Sequence, residues 1–174
     1  AVTLGEGKFV INITDDEPKE AGYCPEVGIV EEEMLPGGIP EKYDSSPDTL
    51  VAVGWLKSQV SVGADEPVIF SLSGSICGLP QLTSNGEAIS YNVCGDTLLA
   101  FVEAKGGEPP VEQRDIFTLT VESNGKYTFT LLDQLDHDGC GEDALCIDFS
   151  SMIVATDFDG DSITLNDDFY IKVI

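Results

Sequence analysis

The chain has 174 residues, 42% of them apolar, and sets 32 acidic side chains against 8 basic ones for a net charge of −24. The apolar share supports a hydrophobic core and excludes global disorder. The charge excludes nucleic acid and anionic lipid as partners by repulsion, and it opposes compaction unless cations neutralise it.

In chain order the texture is β nearly throughout. The first candidate strands are KFVINIT (8–14), LVAVGWLKSQVSV (50–62), PVIFSLS (67–73) and AISYNV (88–93). TLLAFVEA (97–104), DIFTLTVE (115–122), KYTFTLL (126–132), ALCIDFSSMIVAT (144–156) and FYIKVI (169–174) follow. All are rich in β-branched and aromatic residues, with Gly, Pro, Asn and Asp between them. No run has helical apolar spacing, and none approaches the about 18 apolar residues of a membrane-spanning helix, so no direct membrane insertion is expected. Short strands and turns at this density predict an all-β fold, a β-sandwich with long acidic loops. Val51, Val53 and Trp55 alternate, which assigns Trp55 to the core.

One hairpin has a predictable register. In DIFTLTVESNGKYTFTLL, Phe117, Leu119 and Val121 share a face, as do Tyr127, Phe129 and Leu131. A two-residue Asn-Gly turn would mismatch those faces. A loop of Ser123, Asn124 and Gly125 pairs Val121 with Tyr127 and Leu119 with Phe129, sets Glu122 opposite Lys126, and gives Gly125 the left-handed position of a G1 bulge.

Residues 15–48 carry five prolines and many acids. They read as loops around one short strand (27–33) packed on the sandwich, so residues 1–174 form a single module. No basic-then-apolar signal segment opens the chain. It starts and stops almost within strands, which suggests a module excised from a larger protein. GGEPPVEQ (106–113) is a further long loop, and long loops on a rigid scaffold are where binding function concentrates. Of the five cysteines, Cys77 with Cys94 and Cys140 with Cys146 are candidate disulfide pairs, with buried free thiols as the alternative. No CxxC spacing occurs and His137 is the only histidine, which argues against zinc.

Carboxylates gather where strands break. In ATDFDGDSITL (155–165), Asp157, Asp159 and Asp161 alternate around Gly160. Calcium takes six to eight oxygens, and such a loop can aim several at one centre. An EF-hand would need a glutamate where Asp168 stands, and helical flanks. The expectation is therefore a calcium loop at a β-turn, with a solvated hairpin tip as the alternative. Asp65, Glu66, Asp136 and Asp138 are further candidate ligands, alongside the clusters Asp15 to Glu17, Glu31 to Glu33, and Asp167 with Asp168. Strand ends converge in a sandwich, so clusters distant in sequence can share an ion.

Several strings resemble one repeat family: EEEMLPGGIP, VSVGADEPVIFSLSG, GLPQLTSNGEAISYNV, IFTLTVESNGKYTFTLLDQLDH and IDFSSMIVATDFDGDSITL. The family is the long β-sandwich repeat of giant RTX adhesins exported by type I secretion from Gram-negative bacteria, and the resemblance spans roughly residues 28–174. It implies a secreted, calcium-binding module at the bacterial cell surface, joined to adjacent domains of the same adhesin chain. It also implies a role in cell adhesion or biofilm formation. Many such modules are spacers. Some distal ones are peptide-binding and hold a C-terminal carboxylate through a bound calcium.

The cysteines, the proline-rich first third and the loops GGEPPVEQ and DGCGED depart from a plain spacer and suggest a site. On so acidic a surface a ligand carboxylate would be repelled unless a cation met it. Arg114 and Lys105 are among the few basic residues available to help, although a surface salt bridge is the alternative role for Arg114. A glycan on a host or partner cell is a second ligand class, with Tyr43 or Trp55 offering a ring to stack. The spacer is a further reading. No GxSxG element occurs, and paired carboxylates such as Asp136 and Asp138 have no other catalytic company, so no enzyme is expected.

Overall fold

The structure is a computed structural model that describes residues 7, 11–12, 15–39, 47–105, 112–137 and 144–174. In the first half run β1 (Lys19–Glu20), β2 (Glu26–Val30), β3 (Val51–Trp55), β4 (Val60–Ser61), β5 (Ile69–Leu72) and β6 (Thr83–Ser84). Then come β7 (Glu87–Cys94), β8 (Thr97–Val102), β9 (Arg114–Val121), β10 (Lys126–Leu131), β11 (Leu145–Asp148), β12 (Ile153–Thr156), β13 (Ser162–Thr164) and β14 (Phe169–Val173). Three single-turn 3-10 segments, Glu32–Met34, Lys57–Gln59 and Ser150–Met152, are the helical elements among the described residues. The fold is all-β.

An antiparallel sheet ordered β3-β10-β9-β8-β7-β6 forms one layer. Two three-stranded sheets, β11-β14-β2 and β13-β12-β5, belong to the other, and β1 pairs with β4 alone. Alternation along β8, β9, β10 and β14 turns one face of each inward, as expected of half-buried strands. The layers meet through aromatic rings. Phe117 lies 5.1 Å from Phe129 and 5.8 Å from Phe149, edge to face, while Tyr127 lies 4.6 Å from Phe169.

The β9–β10 hairpin has the predicted register. Val121 faces Tyr127 and Leu119 faces Phe129. Gly125 takes φ +85°, and Lys126 Nζ stands 3.5 Å from Glu122. The same logic holds at Asn85-Gly86 between β6 and β7, where both residues have positive φ.

Three expectations fail. The run 144–156 is two strands in two sheets, because the chain turns a corner at Ser150–Met152. There Asp148 Oδ1 accepts the Ser150 amide at 2.8 Å, and Ser150 Oγ accepts the amides of Asp168 and Phe169 at 3.0 and 2.9 Å. The run 50–62 likewise breaks at Lys57–Gln59. Trp55 is 51% exposed, as are its alternation partners Val51 and Val53 at 42% and 54%. The inward face of β3 is instead Ala52 and Gly54, because Tyr127 and Glu26 fill the space beneath. A Cβ at Gly54 would lie 2.6 Å from the Tyr127 hydroxyl, which itself donates to Glu26 Oε1 at 3.1 Å.

The short strand expected at 27–33 in the first third is β2, which ends at Val30 before the Glu32–Met34 turn. β2 pairs in parallel with β14, and Gly28 lets it sit close to Ile171 and Ala52. Most of the predicted strand 8–14 lies outside the described residues; Ile11 and Asn12 are not in a strand. Cys24, Cys77, Cys94 and Cys146 are free and exposed rather than paired or buried, and Cys140 lies outside the described residues.

Candidate metal centre

The loop between β12 and β13 is built around one carboxylate. Asp157 is 3% exposed, and its Oδ1 accepts the amides of Gly160 and Asp161 at 3.1 and 2.8 Å. The Asp157 amide donates in turn to the Asp161 carbonyl at 2.9 Å. Gly160 supplies the φ of +110° that lets the chain wrap around a single side chain. Asp157 Oδ2 is buried without a hydrogen-bond donor. A buried ionised oxygen of this kind is costly unless a cation or a proton meets it.

Two other loops are tied to this one in series. The Phe158 amide donates to the Asp65 carbonyl at 3.1 Å, and the Ala64 amide donates to Asp16 Oδ2 at 3.1 Å. These ties bring acids together. Ligand oxygens of Asp15, Asp159 and Asp161 lie within 4.8 Å of one another. A hydrogen bond with the Asp157 carboxyl, then desolvation, then the charges of Asp15, Asp157 and Asp65 push Asp159 up to about 6. Desolvation first, and Asp15, Asp157, Asp16 and Asp161 after it, raise the Asp65 carboxyl. Asp15 and Asp159 are exposed, and Phe158 between the two aspartates is 76% exposed. Hard carboxylate oxygens from three loops, one of them buried and lacking a donor, suit a calcium-like cation.

Of the residues read from the sequence as ligands, Asp159 and Asp161 meet in this group; Asp157 anchors their loop, and Asp65 lies near enough for its charge to act on Asp159. Glu66 is exposed and stands outside the group. Asp15 is the member that sequence reasoning did not assign to this ion. It sits more than 140 positions from Asp159, and only the fold joins them. Asp136 has other work: its carboxylate accepts the Asn85 and Gly86 amides at 2.9 and 2.7 Å and so ties its loop to the β6–β7 turn. Hydrogen bonds from the Thr83 hydroxyl and the Gly86 amide hold its pKa below the usual range. Asp138 and Tyr43 lie outside the described residues.

Arg114 and Lys105 converge on Glu87, at 3.6 and 2.7 Å. Arg114 also bonds Asp133 at 2.5 Å and Ser84 Oγ at 2.8 Å. Arg114 begins β9, whereas the aspartate loops adjoin the far end of that strand, where the Phe70 amide donates to the Ser123 carbonyl at 3.0 Å. Eight residues of strand separate the two ends by about 24 Å.

A second acidic group lies at the Arg114 end. Ligand oxygens of Glu31, Glu33 and Asp48 come within 4.8 Å of one another. Glu31 and Glu33 border a cavity of about 660 Å³ between the Glu32–Met34 turn and the segment after β10. Glu32 Oε1 accepts the Leu135 amide at 2.6 Å and stands 3.7 Å from His137 Nε2. No family model matches this chain, and no significant match is found among the curated proteins or the solved structures.

Proposed function

We propose that this chain is an extracellular, calcium-dependent ligand-binding module of a bacterial adhesin, of the repeat kind its sequence resembles. The reading rests on one observation: Asp157 Oδ2 is buried without a donor, and the next acid along its loop, Asp159, brings a carboxylate oxygen within 4.8 Å of those of Asp15 and Asp161. Asp157, Asp159, Asp161, Asp15 and Asp65 would hold the cation. Bound calcium supplies positive charge that offsets the repulsion among these acids and can accept an incoming oxygen ligand.

The chain's own residues favour a ligand over a purely structural ion. Asp15 and Asp159 face solvent, so the group is open on one side. Phe158 at the loop tip and Ile69, 51% exposed at the start of β5, add apolar surface near it. That combination fits the C-terminal end of a peptide, with its carboxylate at the cation and an apolar side chain on Phe158. A spacer would need only the cation.

The test is binding of a peptide library in calcium and in chelator, each peptide made with a free and an amidated C-terminus. The reading expects binding that needs both calcium and the free carboxylate and is lost in Asp159→Ala. Calcium-independent binding, or equal binding of amidated peptides, would reject the carboxylate reading. Calcium stabilisation with no peptide bound would leave the spacer.

A further inference from the structure

The outer face of the large sheet is a surface that the aspartate centre does not use. Cross-strand register lines up its side chains in rows. Val53, Thr128, Thr120, Thr97 and Cys94 form one row over β3, β10, β9, β8 and β7. The next row crosses the same five strands from Val51 to Asn92. Neither row holds a charged side chain, in a chain with 32 acids. Charge returns at the borders, at Asp115 opposite Phe101 and at Lys126 opposite Trp55, where Lys126 stands 3.5 Å from Glu122.

The face has two textures. On β3 the half-exposed Val51, Val53 and Trp55 make an apolar stripe. From β10 to β8 the row is threonine throughout, and the Thr120 and Thr97 hydroxyls lie 3.0 Å apart. A hydroxyl both donates and accepts. The fitting occupant therefore carries apolar faces and neutral donor–acceptor groups together, over the about 19 Å of four strand intervals. A sugar chain has both, carbon–hydrogen faces on each ring and hydroxyls around it. The net charge of −24 repels an acidic glycan and also a second copy of the chain. Along β3 the face measures about 17 Å, so it falls well short of the about 800 Å² that a standard protein interface buries on each partner. A peptide strand added beside β3 is disfavoured as well. Thr49 Oγ1 already serves the Val51 amide and carbonyl at 3.0 Å each, which shortens an edge of only five residues.

We infer that this face binds a neutral polysaccharide whose chain lies across the strands, its rings against Trp55 and Val53 and its hydroxyls on the threonine row. Trp combines a large apolar ring with a polar N–H, which suits a ligand that is apolar on its faces and polar at its rim. A row that crosses five strands suits an extended, cellulose-like glucan over a coiled, amylose-like one. The site needs no cation and is separate from the peptide site proposed at the aspartates.

Trp55 is the only tryptophan, so its fluorescence reports on the face directly. The experiment titrates the calcium-loaded protein with cellohexaose, maltohexaose and the acidic hexagalacturonate, following acrylamide quenching of Trp55, with calorimetry for the affinities. Cellohexaose should saturate and lower the quenching constant by about half, because it covers one face of a half-exposed ring. Maltohexaose should bind more weakly, and hexagalacturonate not at all. Trp55→Ala should cut the calorimetric affinity about tenfold. Thr128→Val keeps the side-chain shape without the hydroxyl and should cut it by about threefold to tenfold. Neither side chain is buried, so both variants should melt close to the parent. Cellohexaose that leaves Trp55 equally quenched, or full affinity in Trp55→Ala, would overturn the assignment. So would loss of binding in chelator by protein still folded by circular dichroism, which would move the glycan to the aspartate centre. Protection of Trp55 that grows with protein concentration in the absence of sugar would put a second copy on this face instead. Peptide binding at the aspartates can fail without changing any of these results.

Discussion

Asp157 and Asp161 are bonded to each other twice, the Asp157 amide to the Asp161 carbonyl at 2.9 Å and the Asp161 amide to Asp157 Oδ1 at 2.8 Å. The loop therefore has its shape without any ion, and its unresolved problem is charge. Asp157→Asn separates the two. It keeps the Oδ1 acceptor and replaces the donor-less Oδ2 with an amide that Asp159 can accept from. The metal-free variant should melt no lower than the metal-free parent, yet lose the calcium response. For the parent, calcium at about a hundred times its Kd adds about 2.7 kcal/mol. That corresponds to about 5–10 °C for a domain of this size. Melting curves in calcium and in chelator measure both effects. A variant that kept the parent's full calcium shift would remove Asp157 from the centre.

The pH dependence follows from Asp159. Its native value, about 6, lies above the ordinary carboxyl value because of the hydrogen bond with Asp157, desolvation and the charges of Asp15, Asp157 and Asp65. The folded chain thus holds this proton more tightly than the unfolded chain does. The contribution of Asp159 to metal-free stability should fall as pH rises from about 4 to about 6, then level off. The comparison that isolates this group is the parent against Asp159→Asn, both in chelator. The parent should lose relative stability across that window, and identical profiles would show that Asp159 carries no raised pKa. Calcium affinity should drop below about pH 6, where proton and metal compete for the same oxygens.

Much of this architecture was legible where one face of a strand carries all the large apolar residues. The register of β9 on β10 followed from matching Val121 to Tyr127 and Leu119 to Phe129, and a mismatch there would have exposed the three core residues of one strand or the other. The same alternation misled at Trp55. Alternation identifies two faces but does not say which one is inside. At β3 the answer depended on Tyr127 and Glu26 leaving room only for Ala52 and Gly54. The aspartates of the β12–β13 loop were visible as a cluster, since they are local. Asp15 was not assigned to that group, because its proximity depends on Asp16 docking onto Ala64. Glu31 to Glu33 were likewise visible as a local cluster, and only the fold brings Asp48 to Glu31 and Glu33.

Gly28 tests the fit of the first third against the sheets. A Cβ there would lie 2.6 Å from Ile171 Cδ1 and 2.9 Å from Ala52 Cβ, closer than real contacts allow. β2 would have to move off β14, or Ile171 leave its rotamer. Gly28→Ala should destabilise by about 1–3 kcal/mol, the usual cost of overpacking. Ile171→Val in the same chain should recover part of that loss, because it removes the nearest methyl. Denaturant titration of the two single variants and the double variant measures the coupling. Strict additivity would mean that the two sites are not in contact.

Arg114 separates a structural role from a ligand-binding one. Its guanidinium donates to Asp133 Oδ2 at 2.5 Å, to Ser84 Oγ at 2.8 Å and to the Ser84 carbonyl at 3.3 Å, with Glu87 3.6 Å away. Ser84 is fully buried, so truncating the arginine strips donors from oxygens that water reaches poorly. Arg114→Ala should cost about 1–2 kcal/mol, mostly through Ser84, because the partly exposed ion pairs contribute little. Arg114→Lys should recover only part, since an ammonium cannot serve Ser84 and Asp133 in the same fork geometry. Calcium-dependent peptide binding should be unchanged in both, because the aspartate centre lies at the other end of β9. A loss of that binding without a change in melting temperature would instead put Arg114 in contact with the ligand, and would require a peptide long enough to reach across the sheet.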